Sequence, residues 1–401
     1  MRPRVGVWTR RLAVAGLCLL TACTSERTAA PSSDAAASAS PAVSRAVITS
    51  TPADGAQEVP AEGPVKVTVA QGRLVSVRLA DQKGTEVPGK VGPDGVWVPD
   101  ARLAMSTAYT LDTVAEDQAG LKAAQHVAFA TLAPDHTFAA FFTPEDGSTV
   151  GVGMPVSLRF SRPITDRAAV EKAISVTADP PVPVAAHWFS SRRLDLRPEK
   201  YWAAGTKVTL ALRLKDVQGA PGDYGTQSKD VHFTVGRSVV STVDLEAHTM
   251  TVRQDSRVLR TLKVSGGSPE FSTYLGTMVI SEKFAVTRMN SQTVGLGDEY
   301  DIKDVPHAMR LTASGTFVHG NYWAARDVFG TANTSHGCLG LADVKGGSDS
   351  SPAGWFFEQS TVGDVIEVHG RSGDRVPPEN GLNGWNLTWD QWRKGSALGG
   401  R

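Results

Sequence analysis

A five-residue turn signature, Thr51-Pro52-Ala53-Asp54-Gly55, returns 92 residues later as Thr143-Pro144-Glu145-Asp146-Gly147. The echo extends beyond the turn. Pro64-Val65-Lys66-Val67-Thr68-Val69 is matched by Pro155-Val156-Ser157-Leu158-Arg159-Phe160, Trp97 by Trp188, and Tyr109-Thr110-Leu111 by Val208-Thr209-Leu210. Within each copy, short alternating runs stand between Gly, Pro and Asp turns, and no helix period is evident. With 39 Gly and 23 Pro in 401 residues, such a pattern suits a turn-rich β protein far better than a helical bundle. The repeat predicts two tandem immunoglobulin-like β-sandwiches, over 46–133 and 134–236. Neither copy contains a cysteine, which excludes the disulfide-pinned antibody type. Trp97 and Trp188 read as core residues, His126 and His187 as incidental, and the two modules as spacers.

The texture changes near Val239. Val243-Asp244-Leu245 and Met250-Thr251-Val252 flank a turn, a run from Val258 to Val264 follows, and Met278-Val279-Ile280 and Val365 to Val368 read as further strands. Within this β-rich stretch a helix is expected only near Gly354–Gln359. The predicted fold class is mainly β: two sandwiches, then a β-rich domain over 237–370, an ordinary size for one domain, and a short tail over 371–401. Trp385, Trp389 and Trp392 in the tail have the i, i+4, i+7 spacing of a helical stripe, which predicts a short amphipathic helix docked on a neighbouring domain in preference to a sugar-stacking platform.

The amino-terminal segment reads as an address. Arg2, Arg4, Arg10 and Arg11 precede an apolar run from Leu12 to Ala22, too short for an ordinary membrane-spanning helix. The run ends in Leu20-Thr21-Ala22-Cys23, which resembles a bacterial lipobox. The expectations are a signal peptide over 1–22, lipidation of Cys23, and an Ala/Ser-rich tether over 23–45, 13 of whose last 22 residues are Ala or Ser. The product is then an extracytoplasmic protein, lipid-anchored to the outer face of the cell membrane. The whole chain carries 41 basic and 41 acidic side chains, and loss of residues 1–22 leaves a net charge of −4, which argues against a nucleic-acid partner. Cys338 is then the one unmodified cysteine, without an intramolecular partner.

Chemistry concentrates around it. His319-Gly320-Asn321-Tyr322-Trp323 is followed by Asn333-Thr334-Ser335-His336-Gly337-Cys338-Leu339-Gly340-Leu341. A thiol attacks as thiolate and needs a base or a positive charge nearby, and histidines stand 19 and two residues before this cysteine. Gly337 clears space for a carbonyl substrate beside backbone N–H groups, and Ser335 can tie the turn. These are the parts of acyl transfer. A zinc site built from His319, His336 and Cys338 is the chemical competitor.

Ser335-His336-Gly337-Cys338 with the upstream His319-Gly320 resembles the signature of the L,D-transpeptidases, the YkuD-type catalytic domain. Gly276-Thr277-Met278-Val279-Ile280 and Lys283 are similar to that family's Gly-x-Phe-x-Val strand, and Ser314 to His319 to its approach strand. The whole layout, from lipobox to tryptophan-bearing tail, is similar to actinobacterial members. Two positions depart: Gly340 stands where the family has Asn or Arg, and Thr273-Tyr274-Leu275 where it has Thr-Pro.

The resemblance implies Cys338 as nucleophile, His319 as general base and the Gly320 carbonyl as the group that orients the imidazole. Gly337 and Cys338 N–H groups become the oxyanion hole, with His336, Ser335 and Asn333 shaping the pocket. Met289–His307 becomes a lid, and Tyr300, His307 and Trp323 candidate substrate contacts. It implies peptidoglycan stem peptides as donor and acceptor, 3→3 cross-links with release of D-Ala, acylation by carbapenem-type β-lactams, and neither metal nor organic cofactor. The residues leave three alternatives open: an L,D-carboxypeptidase or endopeptidase, a sortase-like transpeptidase, and a lipid-anchored wall-binding protein without catalysis.

Overall fold

The structure is a computed structural model, and residues 43–295 and 297–399 are described. The signal run, Cys23 and most of the Ala/Ser tether lie outside the described residues. Among the described residues no helix is long and apolar enough to cross a membrane.

Each repeat copy is a two-sheet sandwich. In the first, Val47–Thr51, Lys66–Ala70, Trp97–Pro99 and Gly89–Val91 form one sheet in that order, and Glu86–Val87, Arg73–Asp81, Ala108–Glu116 and Lys122–Ala130 the other. Alternation places Tyr109, Leu111 and Ala115 inside with Val67, Leu79 and Trp97. The second repeats the plan with Ala140–Thr143, Val156–Phe160, Arg193–Pro198 and Val184–Ser190 against Thr149–Val150, Ser228–Val235, Lys207–Arg213 and Ile174–Asp179.

The duplicated signature has one physical task. Asp54 accepts a hydrogen bond from the Ala128 N–H at 2.8 Å, and Asp146 accepts from the His232 N–H at 2.7 Å. Gly55 and Gly147 donate to the carbonyls of the same two residues, each at 2.7 Å. Both glycines have positive φ, +77° and +75°, where a side chain is strained. Asp and Gly thus clamp the turn onto a long strand of each sandwich. One element departs from the all-strand expectation: Arg167–Lys172 is a short helix, capped by Asp166, which accepts from the Ala169 N–H at 3.0 Å.

The next domain is one curled sheet of nine strands: β1 (Val239–Asp244), β2 (Thr249–Gln254), β3 (Arg257–Ser265), β4 (Gly276–Val279), β5 (Glu282–Asn290), β6 (Asp301–Arg310), β7 (Phe317–Asn321), β8 (Leu339–Ala342) and β9 (Val365–His369). Their spatial order is β4-β9-β1-β2-β3-β8-β7-β6-β5. The pairs β1–β9 and β7–β8 are parallel, and the other six are antiparallel. The two outer strands, β4 and β5, are joined by Ile280-Ser281 alone. Ile280 donates to the Asp364 carbonyl at 3.0 Å beside one edge, and Ser281 to the Arg310 carbonyl at 2.9 Å beside the other. The sheet therefore folds over a core of Met250, Val264, Met278, Met309, Val318 and Leu341, closed by Phe356 of α1 (Pro352–Gln359).

The tail docks on the second sandwich. Thr388 and Gln391 form a capping box that opens α2 (Trp389–Arg393). Trp392 is fully buried, donates to the Ala185 carbonyl at 2.9 Å and stacks on His187. The Arg197 guanidinium lies 4.5, 5.5 and 4.4 Å from the rings of Trp385, Trp389 and Trp392. Val279, Val365 and Leu382 continue the second sandwich's core, so this module, the curled sheet and the tail share buried contacts.

Candidate active site

The parallel pairing of β7 and β8 brings the key residues together. Its register sets His319 opposite Gly340 and Asn321 opposite Ala342, with Val318 opposite Leu339. Val318, Leu339 and Leu341 point into the core, so strand alternation turns Phe317, His319 and Asn321 to the other face, along with Cys338 and Gly340. Residues 19 apart in sequence thereby share one face of the sheet.

His319 is buried, its Nδ1 lies 2.9 Å from the Gly320 carbonyl, and its ring stacks on Trp323 at 5.5 Å. A carbonyl only accepts, so Nδ1 carries the proton and Nε2 keeps a lone pair. Burial lowers the imidazole pKa, partly offset by the bond to Gly320. The Cys338 sulfur accepts from the Phe317 N–H at 3.4 Å, and its thiol lies 3.7 Å from the Gly315 carbonyl. Burial pushes the thiol up to about 11, against a smaller lowering by the Phe317 amide. Both shifts favour a thiol beside a neutral imidazole at neutral pH. Gly315 suits the thiol and Phe317 the thiolate, so both forms have a partner.

Ser335 ties the turn that carries the cysteine. Its hydroxyl donates to the Cys338 carbonyl at 2.6 Å and accepts from the Gly337 N–H at 3.1 Å. Gly337 has φ +106°, and a Cβ there meets nothing nearer than 3.7 Å; backbone conformation, not space, requires glycine. Because Ser335 occupies the Gly337 N–H, the Cys338 N–H is the donor left for a developing oxyanion. This differs from an oxyanion hole that uses both amides.

A cleft of about 220 Å³ opens above this face, lined by Met289, Tyr300, Ile302, Trp323, His336 and Asn321 beside His319 and Cys338. A second hollow of about 530 Å³ is lined by Phe271, Tyr274, Thr316, Gly337 and Asp374. Tyr300 and His336 line both. His336 packs between Phe271 and Tyr300 at 4.6 and 5.2 Å, its Nε2 lying 3.7 Å from Glu299. Met289–His307 comprises the end of β5, a 3-10 turn over Ser291–Val294 and the first part of β6, a hairpin tip that brings Tyr300 over the cysteine. Burial and the nearby Cys338 raise the Tyr300 pKa.

Two expected pocket residues lie elsewhere. Asn333 turns away from the cleft: it accepts from the Gly266 N–H at 2.8 Å and donates to the Leu245 carbonyl at 2.9 Å, with the His248 ring at 3.1 Å. Two backbone partners and one imidazole ring make it a pin between the cysteine loop, the end of β3 and the β1–β2 turn. His307 is no substrate contact either. It is buried against Phe357, and its Nδ1 lies 2.7 Å from Asp343, whose side chain is fully buried behind Gly320. Lys283 donates to the carbonyls of Phe357 and Ser360 at 2.6 and 2.7 Å, closing the end of α1. Asn321, which sequence reasoning passed over, lines the cleft; its two-residue spacing from His319 on a strand was the available signal. Among the described residues no group of three His, Cys, Asp or Glu side chains could hold a metal ion.

Comparison with known proteins matches residues 56–218 to a bacterial immunoglobulin domain and residues 238–368 to an L,D-transpeptidase catalytic domain. L,D-transpeptidase 2 of Mycobacterium tuberculosis is 35% identical over 354 residues, 87% of this chain and 85% of that one. L,D-transpeptidase 5 of the same organism is 30% identical over 359 residues, 88% of this chain and 77% of its own. Among solved structures, an L,D-transpeptidase in complex with imipenem is 32% identical and aligns over 59% of this chain and 100% of its own, with a TM-score of 0.50.

Proposed function

This chain belongs to the L,D-transpeptidase family, and from that premise we propose that it joins peptidoglycan stem peptides by 3→3 cross-links through a thioester on Cys338. The observation that carries the reading is the shared face of β7 and β8, where a buried histidine with a free Nε2 and the thiol border one cleft.

The donor is a tetrapeptide stem. His319 Nε2 takes the Cys338 thiol proton, and the sulfur, steadied by the Phe317 N–H, adds to the carbonyl carbon of the third residue. The Cys338 N–H receives the oxyanion. Collapse breaks the bond to D-Ala, whose nitrogen leaves with the proton from His319, and a thioester remains. An amine of a second stem adds to that thioester, giving a proton to His319. The carbon–sulfur bond breaks, the new amide is released, and the proton returns to sulfur. Donor and acceptor meet the same acyl-enzyme in turn, which gives ping-pong kinetics. Water as acceptor would yield a tripeptide instead.

The site faces outward from the cell membrane, tethered through lipidated Cys23, with the two sandwiches as spacers. Carbapenem-type β-lactams acylate the same sulfur; support comes from the imipenem complex of a relative. The test is incubation of residues 46–401 with purified disaccharide-tetrapeptide and mass analysis, with Cys338→Ala alongside. A cross-linked dimer plus D-Ala, absent with the variant, is expected. Tripeptide without dimer makes the protein a carboxypeptidase, and an untouched tetrapeptide overturns the reading.

A further inference from the structure

The departure at Gly340 leaves a gap on the catalytic face, and a neighbouring strand fills it. A Cβ built on Gly340 would lie 3.5 Å from Asn321 Nδ2, 3.6 Å from Asn321 Cβ and 3.6 Å from the Ser265 carbonyl oxygen. The Asn321 side chain thus leans from β7 over the bare position on β8.

Its orientation is set by its own turn. Asn321 Oδ1 accepts from the Trp323 N–H at 3.2 Å and the Ala324 N–H at 2.9 Å. With the oxygen committed, Nδ2 is the end that lies beside Gly340. Asn321 is only 8% exposed, yet it lines the cleft that holds His319 and Cys338, and its Nδ2 has no acceptor among the described residues. Nδ2 itself is not sealed from solvent, so water meets it in the free protein, and an occupant of the cleft can offer an acceptor in water's place.

We propose that Asn321 Nδ2 donates to a carbonyl or carboxylate oxygen of the donor stem, supplying from β7 the polar side chain that residue 340 lacks. It is a specificity residue of the acylation step, acting on substrate and not on the nucleophile. The inference rests on the transpeptidase reading above and deepens it.

Asn321 has a second task, holding the turn that carries Trp323, and the experiment must separate the two. Transfer of the amide does so. In Asn321→Ala both tasks are lost. In Asn321→Ala/Gly340→Asn an amide returns to the cleft from the other strand, while the turn acceptor stays absent. Gly340 accepts the Cβ at ordinary contact distance, and Gly340 is not among the positive-φ residues.

The assay measures D-Ala release from tetrapeptide, resolved into kcat and KM, beside the rate of Cys338 alkylation by iodoacetamide. Asn321→Ala is expected to lower kcat/KM for the donor roughly tenfold to thirtyfold, the effect of one lost hydrogen bond to substrate, with alkylation unchanged. The double variant is expected to regain most of that loss. Should Asn321→Ala fail to fold, Asn321→Ser replaces it, because a serine hydroxyl can still accept from the turn but is too short to cross to Gly340. A single variant as active as the native protein overturns the inference, and so does a double variant that recovers nothing. Native protein that releases no D-Ala overturns the transpeptidase reading itself, a separate failure.

Discussion

Cys338 and His319 are perturbed in opposite senses by one cause, removal from water, which disfavours the thiolate on one and the imidazolium on the other. A preformed thiolate–imidazolium pair would react with an alkylating agent at a rate nearly independent of pH above the imidazolium range. The geometry here predicts otherwise. With the thiol raised to about 11, the alkylation rate of Cys338 in the free protein should climb about tenfold per pH unit from pH 6 to 9. A flat profile over that range would show an ion pair at rest. The difference matters for mechanism, because it assigns activation of the sulfur to the moment when the substrate fills the cleft. Cys338 and His319 were legible in the sequence because the residue types state the chemistry. Asn333 was misread and Asn321 missed for one reason: direction. Both are asparagines near the motif, but only the strand register and the hydrogen bonds decide which one faces the cleft.

At the scale of elements, the parallel β7–β8 pair and the turn over residues 335–338 make the site, and the turn depends on one hydroxyl. Ser335→Ala removes two hydrogen bonds, to the Cys338 carbonyl and from the Gly337 N–H. The loss expected is about tenfold to a hundredfold in kcat with KM little changed, since positioning of the sulfur and its amide fails before substrate binding does. A fall in KM affinity alone, measured on tetrapeptide, would show that Ser335 serves the cleft wall instead. The duplicated Thr-Pro-x-Asp-Gly turns were readable because Asp and Gly do the same backbone work in both copies. The tryptophan stripe was readable for its period. The helix at Arg167–Lys172 was not: six residues between strands carry too little periodicity, and its Asp166 cap resembles any other turn aspartate. The His307–Asp343 pair escaped as well, because it joins residues 36 apart through a fold that no local pattern reports.

For the whole molecule, the decisive contact is the seam between the second sandwich and the curled sheet. Asp364 lies in it: its Oδ2 accepts from the Thr361 N–H at 2.7 Å, while its Oδ1 is buried with no partner among the described residues, close against Gly151. Burial raises this carboxyl to about 7, although Arg237 and Lys283 pull it down. Between about pH 4 and pH 7 the folded protein holds a proton that the unfolded chain gives up. Stability therefore declines as pH rises through that window and levels off above it. Asp364→Asn should flatten this slope and raise the melting temperature at pH 8; an unchanged slope would mean that the seam holds its charge at no cost. Tyr201, 3.0 Å from Glu367, and Arg193, which pairs with Asp195 and reaches the Glu379 and Gly381 carbonyls at 2.6 Å each, span the same region. Sandwich, sheet and tail form a continuous support for the cleft.

The central claim is covalent: the donor stem passes through Cys338. Intact-protein mass spectrometry after brief mixing with tetrapeptide and acid quench tests it directly. The account predicts one added mass equal to the donor less D-Ala, located on the peptide that contains Cys338 and absent from Cys338→Ala. Turnover without that adduct, or an adduct that survives Cys338→Ala, would contradict it.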